Sequence, residues 1–111
     1  MGRALRPLRE EGIFIIGSGM TFHNLRAFSP HAAPVAEAFD RWLRESATME
    51  EPDRTERLVR WSSAPSARMA HPREEHLLPL MVIAGAAGAD LGRVAYNGTI
   101  VGLRLSGYEF G

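Results

Sequence analysis

The chain has 111 residues, 45% of them apolar, which suits one small domain with a core of its own. Its 13 basic residues, all arginine, balance 13 acidic ones and remove the electrostatic case for nucleic acid or an anionic membrane surface. The absence of cysteine excludes disulfides and thiolate metal sites. No apolar run approaches the roughly 20 residues of a membrane span, and the N-terminus lacks the apolar core of a signal peptide, so a cytoplasmic location is the expectation.

Residues 3–11 read as the end of a helix, which Pro7 keeps from starting far upstream. Ala4, Leu5 and Leu8 share one face, and Gly12 is placed to stop it. Ile13-Phe14-Ile15-Ile16 follows without alternation, the pattern of a strand covered on both faces of an α/β sheet. It runs into Gly17-Ser18-Gly19-Met20-Thr21-Phe22-His23-Asn24-Leu25-Arg26. Ligands of open α/β sheets bind beyond the carboxyl ends of strands, and His23 falls in that position. Gly17 and Gly19 permit a sharp turn and a close approach to a ligand. The third glycine of a dinucleotide loop and the Gly-Lys-Ser/Thr of a P-loop are both missing. Read alone, His23 is either a loop histidine capping a turn or a site residue.

His31, between Pro30 and Ala32, reads as an exposed loop residue. A helix is expected over 35–45, with Val35, Ala38, Phe39, Trp42 and Leu43 in the core. A second, shorter helix runs to residue 61, with Asp53 as its N-cap and Glu56 completing a capping box. Residues 62–68 read as an irregular loop of the kind that lines a site.

The densest chemistry is in His71-Pro72-Arg73-Glu74-Glu75-His76-Leu77-Leu78-Pro79-Leu80. Pro72 suits a first helical turn, and Glu74 and Glu75 would complement the positive end of the helix dipole. The spacing predicts a helix over 72–87 that carries His76 on the same stripe as Leu80, Ile83 and Ala87. On spacing alone His76 is either a core histidine with a satisfied hydrogen bond or a metal ligand. Beyond Gly88, Val94-Ala95-Tyr96 and Thr99-Ile100-Val101 flank Asn97-Gly98, a two-residue hairpin signal.

The Gly17-to-Arg26 and His71-to-Leu80 stretches, with Gly85-Ala86 beyond, resemble the C-terminal part of the class III extradiol ring-cleavage dioxygenases. The nearest branch is the DOPA 4,5-dioxygenase type. The resemblance covers essentially the whole chain. It implies an α/β fold of which residues 1–111 are the C-terminal portion of a single catalytic domain, the C-terminal half of a mixed-sheet fold that is incomplete alone. It also implies a mononuclear non-haem metal, iron(II) with zinc(II) as the alternative, O2 as co-substrate and a catecholic substrate. By the same resemblance His76 matches a metal ligand and His23 the acid/base histidine beside the metal. His71 lies outside the family's ligand positions. Family members are more than twice as long, and two more metal-binding histidines lie in their first half. The implied partner is therefore a missing N-terminal half or a second copy of the chain. A non-catalytic binding or interaction module that retains the fold remnant is the alternative.

Overall fold

A computed structural model describes residues 1–111 as five helices followed by a β-hairpin. Helix α1 (Gly2–Glu10) ends where predicted: Gly12 takes φ +80°, and the amides of Gly12 and Ile13 fold back onto the Arg9 and Leu8 carbonyls. Helices α2 (Ala33–Ala47) and α3 (Asp53–Val59) also match expectation, although Pro52, not Asp53, is the N-cap, and the Glu51 carboxylate accepts from the first-turn amide of Thr55 (3.3 Å) in place of the expected capping box. A single turn, α4 (Ala67–Ala70), precedes His71, and α5 (Leu78–Ala87) leads into strands β1 (Gly92–Ile100) and β2 (Leu103–Phe110).

Helix α2 places Ala36, Phe39 and Leu43 against Phe22, Leu58, Leu77, Ala84 and the inward-facing Leu103 and Leu105 of β2. Helix α1 lies on α5 at backbone distance. A Cβ on Gly85 would sit 3.0 Å from the Gly2 Cα, so the crossing depends on both glycines. The C-terminus of α5 is held by Arg54, whose side chain is fully buried. Its guanidinium donates to the carbonyls of Gly88 (2.6 Å) and Asp90 (2.8 Å) and to the Glu51 carboxylate (3.0 Å), with the Phe110 ring 5.0 Å away. These bonds satisfy carbonyls that the end of a helix leaves open, and they pair a charge that could not otherwise be buried.

Three sequence expectations are corrected. Residues 13–16 form no strand. They are extended, with Ile13, Phe14 and Ile16 exposed at 47%, 85% and 75%. From Phe14 to Gly19 no backbone amide or carbonyl makes a backbone hydrogen bond. A strand requires a neighbour to pair with, and the only ladder in the chain is β1 with β2. The sheet within this chain is accordingly one antiparallel pair, packed with the helices as an α/β unit.

The helix predicted over 72–87 begins only at Leu78, with Pro79 in its first turn. Pro79 lacks an N–H and would clash with the preceding turn of any helix started at Pro72, so it sets the true start. His76 therefore precedes the helix, is exposed, and does not belong to a buried stripe.

The hairpin also turns four residues later than predicted, at Val101-Gly102, where both residues have positive φ (53° and 79°). Asn97 and Gly98 lie inside β1, opposite Ser106 and Leu105. The Asn97 amide is engaged there by Ser106 (2.7 Å) and Asp40 (3.2 Å), and a Cβ on Gly98 would collide with the Tyr96 ring.

Candidate active site

Residues 20–24 run beside residues 69–76 and are stitched to them by four hydrogen bonds. The Met20 amide donates to the His76 carbonyl (2.8 Å) and the His23 amide to the Ala70 carbonyl (2.9 Å). The Asn24 side-chain amide donates to the Met69 carbonyl (2.8 Å), and the His71 imidazole meets the Thr21 carbonyl (2.8 Å). Gly19 allows this approach, because a Cβ there would strike the His76 carbonyl. The close contact expected of these glycines is thus made with the chain's own backbone.

The seam brings the two sequence-selected histidines together. The imidazoles of His23 and His76 stack with centroids 3.5 Å apart and planes 9° from parallel. His23 is half-buried, whereas His76 is exposed at the edge of a cavity. His31, the remaining loop histidine, is exposed in a short 3-10 turn (Pro30–Ala32), as expected.

The stack limits what a metal could do here. Two imidazoles bound to one metal through nitrogens at about 2.1 Å would have centroids roughly 4.5–5 Å apart and diverging planes. Parallel rings at 3.5 Å do not share one metal in that way. One ring can be a ligand while the other stands beside it. No three His, Asp or Glu side chains of the chain converge as a metal-binding group, so its residues fit one corner of a metal centre and not a whole one.

The cavity beside His76 has a volume of about 280 Å³ and is walled by the extended Ile13–Thr21 segment, by Leu80 and Ile83 of α5, and by the end of β2. Behind β2 lies a buried polar cluster. The Asp40 carboxylate accepts from the Ser106 hydroxyl (2.6 Å), the Arg44 guanidinium (2.8 Å) and Asn97. Thr21 joins this cluster to the seam, its hydroxyl accepting from the Ser106 amide (3.1 Å). The nearby Tyr108 hydroxyl is buried without a partner. Burial first, and then the Asp40 charge, push its pKa up, so it stays protonated.

His71, which lies outside the ligand positions that the resemblance implies, is part of the seam. It is fully buried, with Phe39 at 5.4 Å and Trp61 at 6.2 Å presenting their rings edge to face. Burial holds its pKa below the usual histidine range, and charge on His23 or His76 would press the same way. The bond to the Thr21 carbonyl opposes both without cancelling them. The signal for it in the sequence was the motif it shares with His76, but its partner lies fifty residues away.

The chain is similar to several known proteins. It is 40% identical to a 4,5-DOPA dioxygenase extradiol of Beta vulgaris over 99% of its own length and 42% of that protein's. A protein of the same description from Escherichia coli K12 is 34% identical over 78% of the chain and 33% of its own length. The crystal structure of an uncharacterised Escherichia coli K12 protein superimposes with a TM-score of 0.85 at 30% identity, covering 99% of this chain and 48% of that one. The chain thus spans less than half the length of these relatives. The model of the LigB family, described as the catalytic LigB subunit of aromatic ring-opening dioxygenase, matches residues 1–107. With that match spanning nearly the whole chain, and with the α/β fold shared with the Escherichia coli structure, the chain belongs to the LigB family.

Proposed function

We propose that residues 1–111 are part of a single catalytic domain of an extradiol dioxygenase that opens a catecholic ring with O2. His76 provides one ligand to a mononuclear non-haem metal, iron(II) with zinc(II) as the alternative. His23 is the acid/base beside it. The remaining ligands come from polypeptide outside this chain, either an N-terminal half or a second copy. The stacked His23–His76 pair carries this reading, because it sets one imidazole next to a ligand position but off the metal. Such a metal, when bound, would supply Lewis-acid and redox chemistry for the attack of O2 on a catecholic ring. His23 in its neutral form accepts a hydroxyl proton from the substrate and later returns one, the acid/base work that histidine side chains most often perform. The apolar walls of the cavity suit the flat face of an aromatic ring. The product is a muconic semialdehyde that retains both oxygen atoms.

The unpaired Phe14–Gly19 backbone supports the need for a partner, since an open extended edge recruits a strand. The same edge, together with the lack of a three-ligand group, favours a second reading: an interaction module without catalysis.

Co-expression with an N-terminal half from a longer LigB-family protein separates the two. The assembled protein is expected to bind iron(II) and convert DOPA to a yellow semialdehyde in air, while the chain alone binds metal weakly and turns nothing over. In the assembly His76→Ala loses metal and activity together. His23→Ala keeps the metal and loses about 10²–10⁴-fold in turnover. Robust turnover by the chain alone would sink the shared-site reading, and equal metal loss in both variants would sink the division of roles.

A further inference from the structure

We infer that His71 is a positioning residue, whose neutral imidazole donates from Nε2 to the Thr21 carbonyl and thereby fixes the His23 ring against His76. The geometry determines the tautomer. A carbonyl oxygen only accepts, so at 2.8 Å the Nε2 atom must carry the proton. Nδ1 is then a bare acceptor. It is buried and has no partner. Orphaned buried acceptors are uncommon and need a reason.

Packing does not supply that reason. The ring occupies a closed apolar space between Phe39 and Trp61, which a phenylalanine would fill with no polar atom left over. What the imidazole adds over an apolar ring is the Nε2–H donor. It acts on the peptide group joining Thr21 to Phe22, one residue before His23. Phe22 is buried, the Thr21 hydroxyl is held by the Ser106 amide, and the His23 amide is held by Ala70. With these anchors in place, the orientation of the Thr21–Phe22 peptide sets the direction in which the His23 ring leaves the seam. His71 is the side chain that holds that peptide, so a residue in the same short motif as His76 aims the ring stacked on His76. The lowered pKa of His71 agrees with a ring that stays neutral while it does so. The consequence for catalysis rests on the dioxygenase reading, but the geometric claim does not.

The test is nuclear magnetic resonance on the metal-free 111-residue chain. Long-range proton–nitrogen spectra of the wild type are expected to show His71 as the neutral Nε2–H tautomer. His71→Phe is expected to fold, by its thermal unfolding transition, and to lose the cross-relaxation between the ring protons of His23 and His76. His71→Gln, whose side-chain amide can donate to the same carbonyl, is expected to keep it. An Nδ1–H tautomer, or a folded His71→Phe with undiminished His23–His76 cross-relaxation, would overturn the inference. Should His71→Phe fail to fold, the wild-type tautomer and His71→Gln decide. Loss of the inter-ring signal in a folded His71→Gln overturns it, and retention with the Nε2–H tautomer supports it. No readout involves a metal or turnover, so a chain that never opens a catechol ring still decides the matter.

Discussion

Helix α2 and the extended segment after α1 are both rich in large apolar side chains, yet they end in opposite environments. Phe39 and Leu43 of α2 are fully buried, while Phe14 and Ile16 are mostly exposed. Hydrophobicity does not separate them; the backbone does. A helix satisfies its own amides and carbonyls within four residues, so α2 can bury its face against whatever the chain offers. An extended segment satisfies nothing by itself, and burying it unpaired would strand every polar group it carries. The α2 face is therefore buried within the chain, and the Phe14–Gly19 backbone is left unpaired.

That contrast can be broken by substitution. Leu43→Ala should lower the unfolding free energy of the chain by about 2–5 kcal/mol, the usual cost of a large-to-small change in a core. Phe14→Ser should leave it within about 0.5 kcal/mol, as for an ordinary surface position. The order reverses on assembly, where Phe14→Ser should weaken capture of an N-terminal half more than Leu43→Ala does. Urea unfolding of the three chains and pull-down with a tagged half provide the readouts. An unfolding cost for Phe14→Ser comparable to that of Leu43→Ala would show that the extended segment already contributes to the core.

The same division explains what was legible in the sequence. Helices α2 and α3 and the end of α1 are placed to within two residues, because periodicity and terminators are local signals. The meeting of His23 and His76 followed from the motifs in which they sit. Elements that depend on distant partners were misplaced. The run at 13–16 looked like a strand, but strandhood is a property of the pair. Asn97-Gly98 looked like a turn, but the Asn97 amide is bound by Asp40, fifty-seven residues earlier. Pro79 was a local signal that outranked Pro72, since a proline is tolerated in a helix's first turn and not its interior. Arg54 and His71 carried no signal of burial, because each is buried by carbonyls distant in sequence.

A smaller effect should appear on acidification. The folded-state pKa of His71 lies below its ordinary value of 6.5, so the unfolded chain holds the proton more tightly. The stability contributed by neutral His71 is present in full above that value and is lost as the pH falls through the folded-state pKa. Glu51 is shifted downward too. Burial raises its pKa, but the Thr55 hydrogen bonds and the Arg54 charge outweigh it, so its contribution is lost in a lower window, below the usual carboxylate value of 4.5. Urea midpoints followed from pH 8 downward should therefore fall in two stages, and His71→Gln should flatten the upper one. An upper stage unchanged in His71→Gln would assign it to another group.

The smallest expected effect is a gain, and it lies at the hairpin turn. Val101 takes φ +53° beside Gly102 at +79°, the pair of left-handed conformations that a two-residue turn between twisted strands requires. Gly102 adopts its angle without cost. Val101 does not, because a β-branched side chain crowds the backbone in the left-handed region, whereas asparagine tolerates it. The side chain is about half exposed, so little packing offsets the strain. Val101→Asn should therefore stabilise the chain by about 1 kcal/mol, within the range of one left-handed residue's cost. Because the turn carries the β1–β2 register, the gain should be specific to the position. Asn97→Val, at the site the sequence marked as the turn, should destabilise instead by removing the amide shared by Ser106 and Asp40. Thermal unfolding of the two variants decides this: a Val101→Asn chain no more stable than wild type would mean that the turn carries no strain at Val101.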